Sequence, residues 1–218
     1  SIISCKTVIG FGSPNKSGKA SSHGAPLGEE EIKLVRKKLN WKHEPFDIPS
    51  KILEEWREIG EKGEILEKEW NKTLSKKNSK IKQQYERLKN DELPENLESI
   101  LGDQKLKFFQ EKPKLATRQC SSSVIKIISE IMPELIGGSA DLSGSNNTKT
   151  ENSKIISAKN FSGNYIHYGV REHAMAGIMN GIALHSDLIP YGGTFLIFSD
   201  YCKPSIRLAA MMNLRVVY

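Results

Sequence analysis

Glu172, Phe195, Phe198 and Tyr201 are the side chains whose types and spacing suggest chemistry, and all four lie in one stretch, NYIHYGVREHAMAGIMNGIALHSDLIPYGGTFLIFSDY, residues 164–201. Residues 165–170 alternate β-branched and aromatic character, as a strand does. Residues 171–185 put apolar side chains at helical spacing. The stretch therefore reads strand, helix, strand, helix, with Glu172 at the first strand-to-helix junction and the three rings at the next. In an open α/β sheet such junctions line the ligand crevice at the carboxyl ends of the strands. One acid and three rings around one crevice suit a flat, nitrogen-bearing ligand. Taken alone, a glutamate in a first helical turn is favoured by the macrodipole, and rings recurring every three residues are more often core than binding site.

The run GNYIHYGVREHAMAGIMNGIALH followed by PYGGTFLIFSDY resembles the pyrimidine-binding domain of transketolases, which are thiamine-diphosphate enzymes. Two further runs agree in order and spacing, IGFGSPNKSG with SHGAPLG near the start and GGSADLSGSN in the middle. The resemblance covers most of the chain and leaves out residues 51–112, a Lys/Glu-rich segment with no motif. It implies an α/β thiamine-diphosphate-binding fold, a parallel sheet with flanking helices preceded by a mostly helical linker. Residues 1–27 would be the last strand and exit loop of a diphosphate-binding domain. Residues 28–113 would be the linker, and residues 114–218 a truncated pyrimidine-binding domain. The chain would then be part of a longer polypeptide, inactive by itself.

The same resemblance assigns roles. Glu172 would hydrogen-bond the cofactor pyrimidine, which needs an apolar, water-poor surround that favours a protonated carboxyl. Phe195, Phe198 and Tyr201 would pack around that ring. Asp141 would lie near the thiazolium at a subunit interface; its bland alternative, a turn or cap carboxylate, is equally weighted on sequence alone. His23 of HGAPLG would reach the cofactor diphosphate and the sugar donor, although a lone loop histidine is usually just exposed. Arg118 and Ser145 would hold the sugar phosphate, guanidinium being permanently charged and able to bind phosphate through two parallel hydrogen bonds. His167 and His173 match family positions less clearly and read as structural. The ligands for magnesium are expected upstream of residue 1, so none is assigned here.

The implied activity is transfer of a two-carbon ketol unit from a ketose phosphate to an aldose phosphate through a thiamine-diphosphate carbanion, a step of the pentose phosphate pathway. A homodimer with its active site between subunits goes with it. Two alternatives remain: another thiamine-diphosphate enzyme (dihydroxyacetone synthase or deoxyxylulose-phosphate synthase, the latter disfavoured by HGAPLG and GSADLSGSN), and a non-catalytic transketolase-like partner subunit.

Composition bounds the rest. The 218 residues are 38% hydrophobic and 27% charged, values of an ordinary soluble protein, with no apolar run of bilayer length. The net charge of +6 comes from lysines interleaved with glutamates, which reads as solvated helix faces and not as a nucleic-acid stripe. Cys5, Cys120 and Cys202 form no CxxC pair, so neither a disulfide framework nor a zinc site is indicated, and a reducing cytoplasm fits.

Local patterns place the elements that must position these residues. Glu29, Glu30 and Glu31 open a helix that Arg36, Lys37 and Lys38 close, with Ile32, Val35 and Leu39 on one face. Ser50 is a plausible N-cap for a helix over 52–59, and a long polar helix is expected over 63–90 with Leu66, Trp70, Leu74, Ile81, Tyr85 and Leu88 on its buried side. From residue 114 a helix, a break at Pro133 and a strand entering Gly137 and Gly138 are expected. Residues 146–163 read as a loop with little order, Ala174, Ile178, Ile182 and Leu184 as core, and 215–218 as the start of another strand.

Overall fold

The structure, a computed structural model, describes residues 2–218. It divides into two compact units, the first ending at Lys76 and the second spanning Lys77–Tyr218. In the first unit residues 2–8 are exposed and without regular structure. This departs from the buried strand expected there: a strand exists only by pairing its backbone groups, and none of the described residues pairs with these as a sheet neighbour. A loop follows through a short 3-10 turn, Ala20–Ser22, to helix α1, Glu29–Lys38, which has the acidic start and basic end its sequence dictates. The face differs from expectation. Ile32 and Leu39 stay about half exposed while Glu31 is buried, because three hydrogen bonds draw its carboxylate inward.

Helix α2, Ser50–Ser75, runs unbroken through Gly60 and Gly63. The break comes instead at Asn78, whose side chain accepts from the Ile81 backbone N–H at 2.9 Å and caps α3, Ser79–Lys89. A glycine costs a helix only about 1 kcal/mol, whereas a capping side chain offers the chain a competing start. The stripe expected to be buried is partly exposed, Leu66 at 65% and Trp70 at 48%.

The second unit continues with α4, Leu97–Glu111, and α5, Thr117–Ile131. Then come β1, Leu135–Ser139; α6, Ser143–Asn146; β2, Tyr165–His167; α7, Glu172–His185; β3, Ile189–Gly193; and α8, Ser199–Met211, entered through a 3-10 turn at Leu196–Phe198. The strands form a parallel sheet in the order β2-β1-β3, with Gly137 opposite both Tyr165 and Tyr191. Val217 bridges Tyr191 in parallel, the beginning of the further strand expected at the end of the chain.

Gly137 and Gly138 are glycines for want of space. A Cβ on Gly137 would sit 1.9 Å from the Tyr191 ring, and one on Gly138 2.2 Å from Tyr168. The core gathers Ala140, Tyr168, Met175, Ala176, Met179 and Cys202. Helix α7 therefore buries Met175, Ala176 and Met179 and leaves Ile178 and Leu184 largely exposed, rotated from the expected core face. From Ala174 to Leu184 only Asn180 is polar, so periodicity alone does not choose a side. Residues 146–163 are also better tied than expected. The Ile156 N–H donates to Tyr165 O at 2.8 Å, and Tyr191 Oη donates to Thr148 O at 2.9 Å.

Candidate functional site

The carboxyl ends of the three parallel strands converge on one cavity of about 450 Å³, lined by Ala140, Asp141, Leu142, Val170, Glu172, Phe198 and Tyr201. The first three follow β1, Val170 and Glu172 join β2 to α7, and the two rings join β3 to α8. Four residues singled out by sequence, Asp141, Glu172, Phe198 and Tyr201, thus share one wall system. Glu172 opens α7 and is half-buried. Phe198 stacks on Tyr201 with centroids 6.3 Å apart and planes 25° from parallel. Phe195 outside the lining stacks on Phe198 at 6.0 Å and 16°. Near-parallel rings facing a cavity are the geometry that receives another flat ring. Asp141 has φ +61°, a left-handed conformation that aspartate tolerates better than most residues and that ends β1 abruptly at the cavity.

The remaining site residues lie elsewhere. Arg118, in the first turn of α5, lines a separate cleft of about 690 Å³ shared with Asn146, Thr148, Tyr191 and Thr194. Ser145 is exposed on α6, one residue from Asn146 and so beside that cleft. His23 belongs to the first unit, exposed just after the 3-10 turn, its N–H donating to Ala20 O at 3.0 Å. Of the two histidines read as structural, His173 has Nδ1 3.4 Å from Ser205 Oγ, and His167 meets the Tyr165 ring edge-on at 5.3 Å.

Sequence reasoning missed three members of the site. Leu142 and Val170 supply apolar wall, and their only signal is position at a strand end, Leu142 next to Asp141 and Val170 two residues before Glu172. Cys202 is buried in the core beneath, and its thiol donates to Glu172 O at 3.3 Å. Burial pushes that thiol up from its ordinary value, and the charge of Glu172 adds to the effect, so the sulfur stays protonated and acts as a donor.

The lining suits a heteroaromatic cofactor in kind: the carboxyl groups of Asp141 and Glu172, the stacked rings of Phe198 and Tyr201, and apolar wall from Leu142 and Val170. Among the described residues no group of three or more His, Cys, Asp and Glu side chains is arranged to hold a metal ion. No described helix is long and apolar enough to cross a membrane.

Comparison with known proteins gives the class first. Residues 1–94 match the family model "Transketolase, thiamine diphosphate binding domain" and residues 113–218 match "Transketolase, pyrimidine binding domain", so the α/β sheet is that of a thiamine-diphosphate-binding fold. The chain is 44% identical over 218 residues to transketolase from Cereibacter sphaeroides and 47% identical over 221 residues to that of Buchnera aphidicola subsp. Schizaphis graminum. Each alignment covers 100% of this chain and 33% of the relative. Among solved structures, transketolase from Leishmania mexicana superposes with a TM-score of 0.83 at 34% identity, over 97% of this chain and 31% of that one. Transketolase from Pichia stipitis in complex with sedoheptulose 7-phosphate gives 0.83 and 34%, over 96% and 32%. The chain belongs to the transketolase family, and it spans about a third of the length of the curated relatives it matches.

Proposed function

We propose that this chain is part of a transketolase that moves a two-carbon ketol unit from a ketose phosphate, such as xylulose 5-phosphate, to an aldose phosphate, such as ribose 5-phosphate or erythrose 4-phosphate. The observation that carries the reading is the single cavity at the strand ends where Glu172, Phe198, Tyr201 and Asp141 meet. Thiamine diphosphate, when bound, supplies the carbanion chemistry that no side chain here can. Glu172 holds the pyrimidine by a hydrogen bond and governs the proton at the ring nitrogen. Phe198 and Tyr201 orient the pyrimidine by stacking, with Phe195 packed behind Phe198; Leu142 and Val170 add apolar wall, and Asp141 faces the reacting end. His23 donates to sugar or phosphate oxygens, and Arg118 with Ser145 grips the sugar phosphate. Solved Pichia stipitis relatives hold sedoheptulose 7-phosphate, fructose 6-phosphate and xylulose 5-phosphate, which supports ketose phosphates as donors.

The reading extends to a cytoplasmic homodimer with its active site between subunits, magnesium bound by residues outside this chain, and a place in the pentose phosphate pathway. It keeps the assignment of residues 1–27 to the diphosphate-binding domain, 28–113 to the linker and 114–218 to the pyrimidine-binding domain.

The test is a coupled assay with xylulose 5-phosphate and ribose 5-phosphate on the full polypeptide as its gene encodes it, beside Glu172→Gln. The parent is expected to be active and the variant to lose about a hundredfold or more. A parent that binds thiamine diphosphate without transferring ketol units from these sugars points to dihydroxyacetone synthase or deoxyxylulose-phosphate synthase chemistry. A parent that binds no cofactor is a non-catalytic partner subunit.

A further inference from the structure

Beneath the loop that joins β1 to β2 lies a chain of side-chain hydrogen bonds whose direction follows from its end. The Gly193 carbonyl can only accept, so the Ser139 hydroxyl donates to it, at 3.0 Å. Ser139 Oγ has no second proton, so it accepts from the amide of Asn146, Nδ2 at 3.0 Å, and from the Leu142 N–H at 3.1 Å. Asn146 thereby turns its Oδ1 toward Thr148, which donates both its N–H, at 3.3 Å, and its hydroxyl, at 2.8 Å. With that proton committed, Thr148 Oγ1 must accept from Tyr165 Oη at 2.9 Å, and Tyr165 must in turn accept from Ser143 Oγ at 2.8 Å.

The protons thus run one way, Ser143 to Tyr165 to Thr148 to Asn146 to Ser139 to Gly193. Tyr165 and Ser139 are fully buried and Thr148 nearly so, which makes each link costly to leave unmade. The chain grips α6 by its first residue, Ser143, and its last, Asn146, with Ser145 between them.

We propose that the Tyr165 hydroxyl is a positioning group for the sugar phosphate: by linking Ser143 to Thr148 it fixes α6 and so presents Ser145 beside the cleft that Arg118 lines. The inference rests on the transketolase reading given above. Tyr165 itself touches no substrate, and its effect travels through α6.

Tyr165→Phe removes one oxygen from the middle of the chain while keeping the buried ring. In the full polypeptide, KM for a phosphorylated ketose is expected to rise about fivefold, the size of one net hydrogen bond. Turnover of an unphosphorylated ketose donor and the Kd for thiamine diphosphate should stay within about twofold of the parent. Ser143→Ala, which removes the first donor from a half-buried position, should move the same KM in the same direction and serves if Tyr165→Phe does not fold. Equal losses on both donors with a lowered Tm mean a merely structural role and overturn the inference, as does an unchanged KM for the phosphorylated ketose. If the parent transfers no ketol unit, the function and the inference fall together; if it does and the variants match it, the inference alone falls.

Discussion

Glu31 shows how far one side chain can act on a loop. Its carboxylate accepts from the Ser13 hydroxyl and from the backbone N–H and side-chain amide of Asn15, both at 2.9 Å. Ser13 Oγ accepts from the Lys16 N–H at 3.0 Å, and Lys16 Nζ reaches Leu27 O at 2.8 Å. The loop leading to His23 is therefore fastened to α1 and to its own far end. The Ser13 hydroxyl first, then the two Asn15 donors, hold the Glu31 carboxyl down at about 2 from 4.5. A depressed carboxyl stabilises the fold above its unfolded value, and that stability is lost as pH falls from about 4.5 through about 2. Glu31→Gln removes this dependence. In thermal melts from pH 7 down to pH 2 the parent should start with the higher Tm and the gap should close across that window. A gap that stays constant with pH would show that the carboxylate's charge contributes nothing.

At the scale of elements, an ion pair ties α3 to the entrance of β1. Arg87 Nη2 donates to both carboxylate oxygens of Glu134 at 2.9 Å, and the Glu134 side chain is fully buried at the entrance to β1. Removing one partner of a buried pair strands the other charge, whereas replacing both with apolar groups is often neutral. Arg87→Met should therefore cost about 3 kcal/mol in urea unfolding, and adding Glu134→Leu should return most of it. Additive losses in the double variant would show that the pair has no mutual dependence.

This pair also marks where the sequence stopped being legible. Arg87 sits among Lys and Glu residues that read as a solvated face, and its partner lies 47 positions away, a separation that no local pattern reports. What local pattern governs was legible: the charge-marked ends of α1, the strand–helix alternation of the second unit, and the strand-end placement of Asp141, Glu172, Phe198 and Tyr201. The buried side of α7 was not, because its polar residues sit at the two ends and at Asn180 and mark no polar face to exclude. The break was expected between residues 59 and 63 and falls at Asn78, where a capping side chain starts a new helix. Arg118 and Ser145 came from family resemblance, and nothing in their local spacing sets them beside the same cleft.

For the whole molecule, the proposed function makes the cavity in this chain one wall of a larger site. The cavity holds two carboxyl groups, stacked rings and apolar side chains, which suit a pyrimidine. In the proposed reading the residues that bind magnesium and the diphosphate lie outside this chain. Val170 of the lining, and Leu196 and Ile197 of the 3-10 turn that carries Phe198, are 76%, 89% and 70% exposed, apolar surface that costs about 25 cal/mol per Å² to leave in water. The relatives are about three times as long as the matched region. In the proposed homodimer the pyrimidine-binding domain of one subunit faces the diphosphate-binding domain of the other, so cofactor affinity is shared between surfaces that this chain supplies only in part. Losing the contacts to a doubly charged diphosphate and its metal removes most of the binding free energy, and stacking alone leaves about 1 kcal/mol beyond area burial. The purified 218-residue chain should therefore show no saturable thiamine-diphosphate binding below about millimolar by titration calorimetry with magnesium present, and no ketol transfer. Tight binding or measurable turnover by the chain alone would mean that the diphosphate is held by residues described here, and the loop from Gly10 to Gly28 would be the first place to look for them.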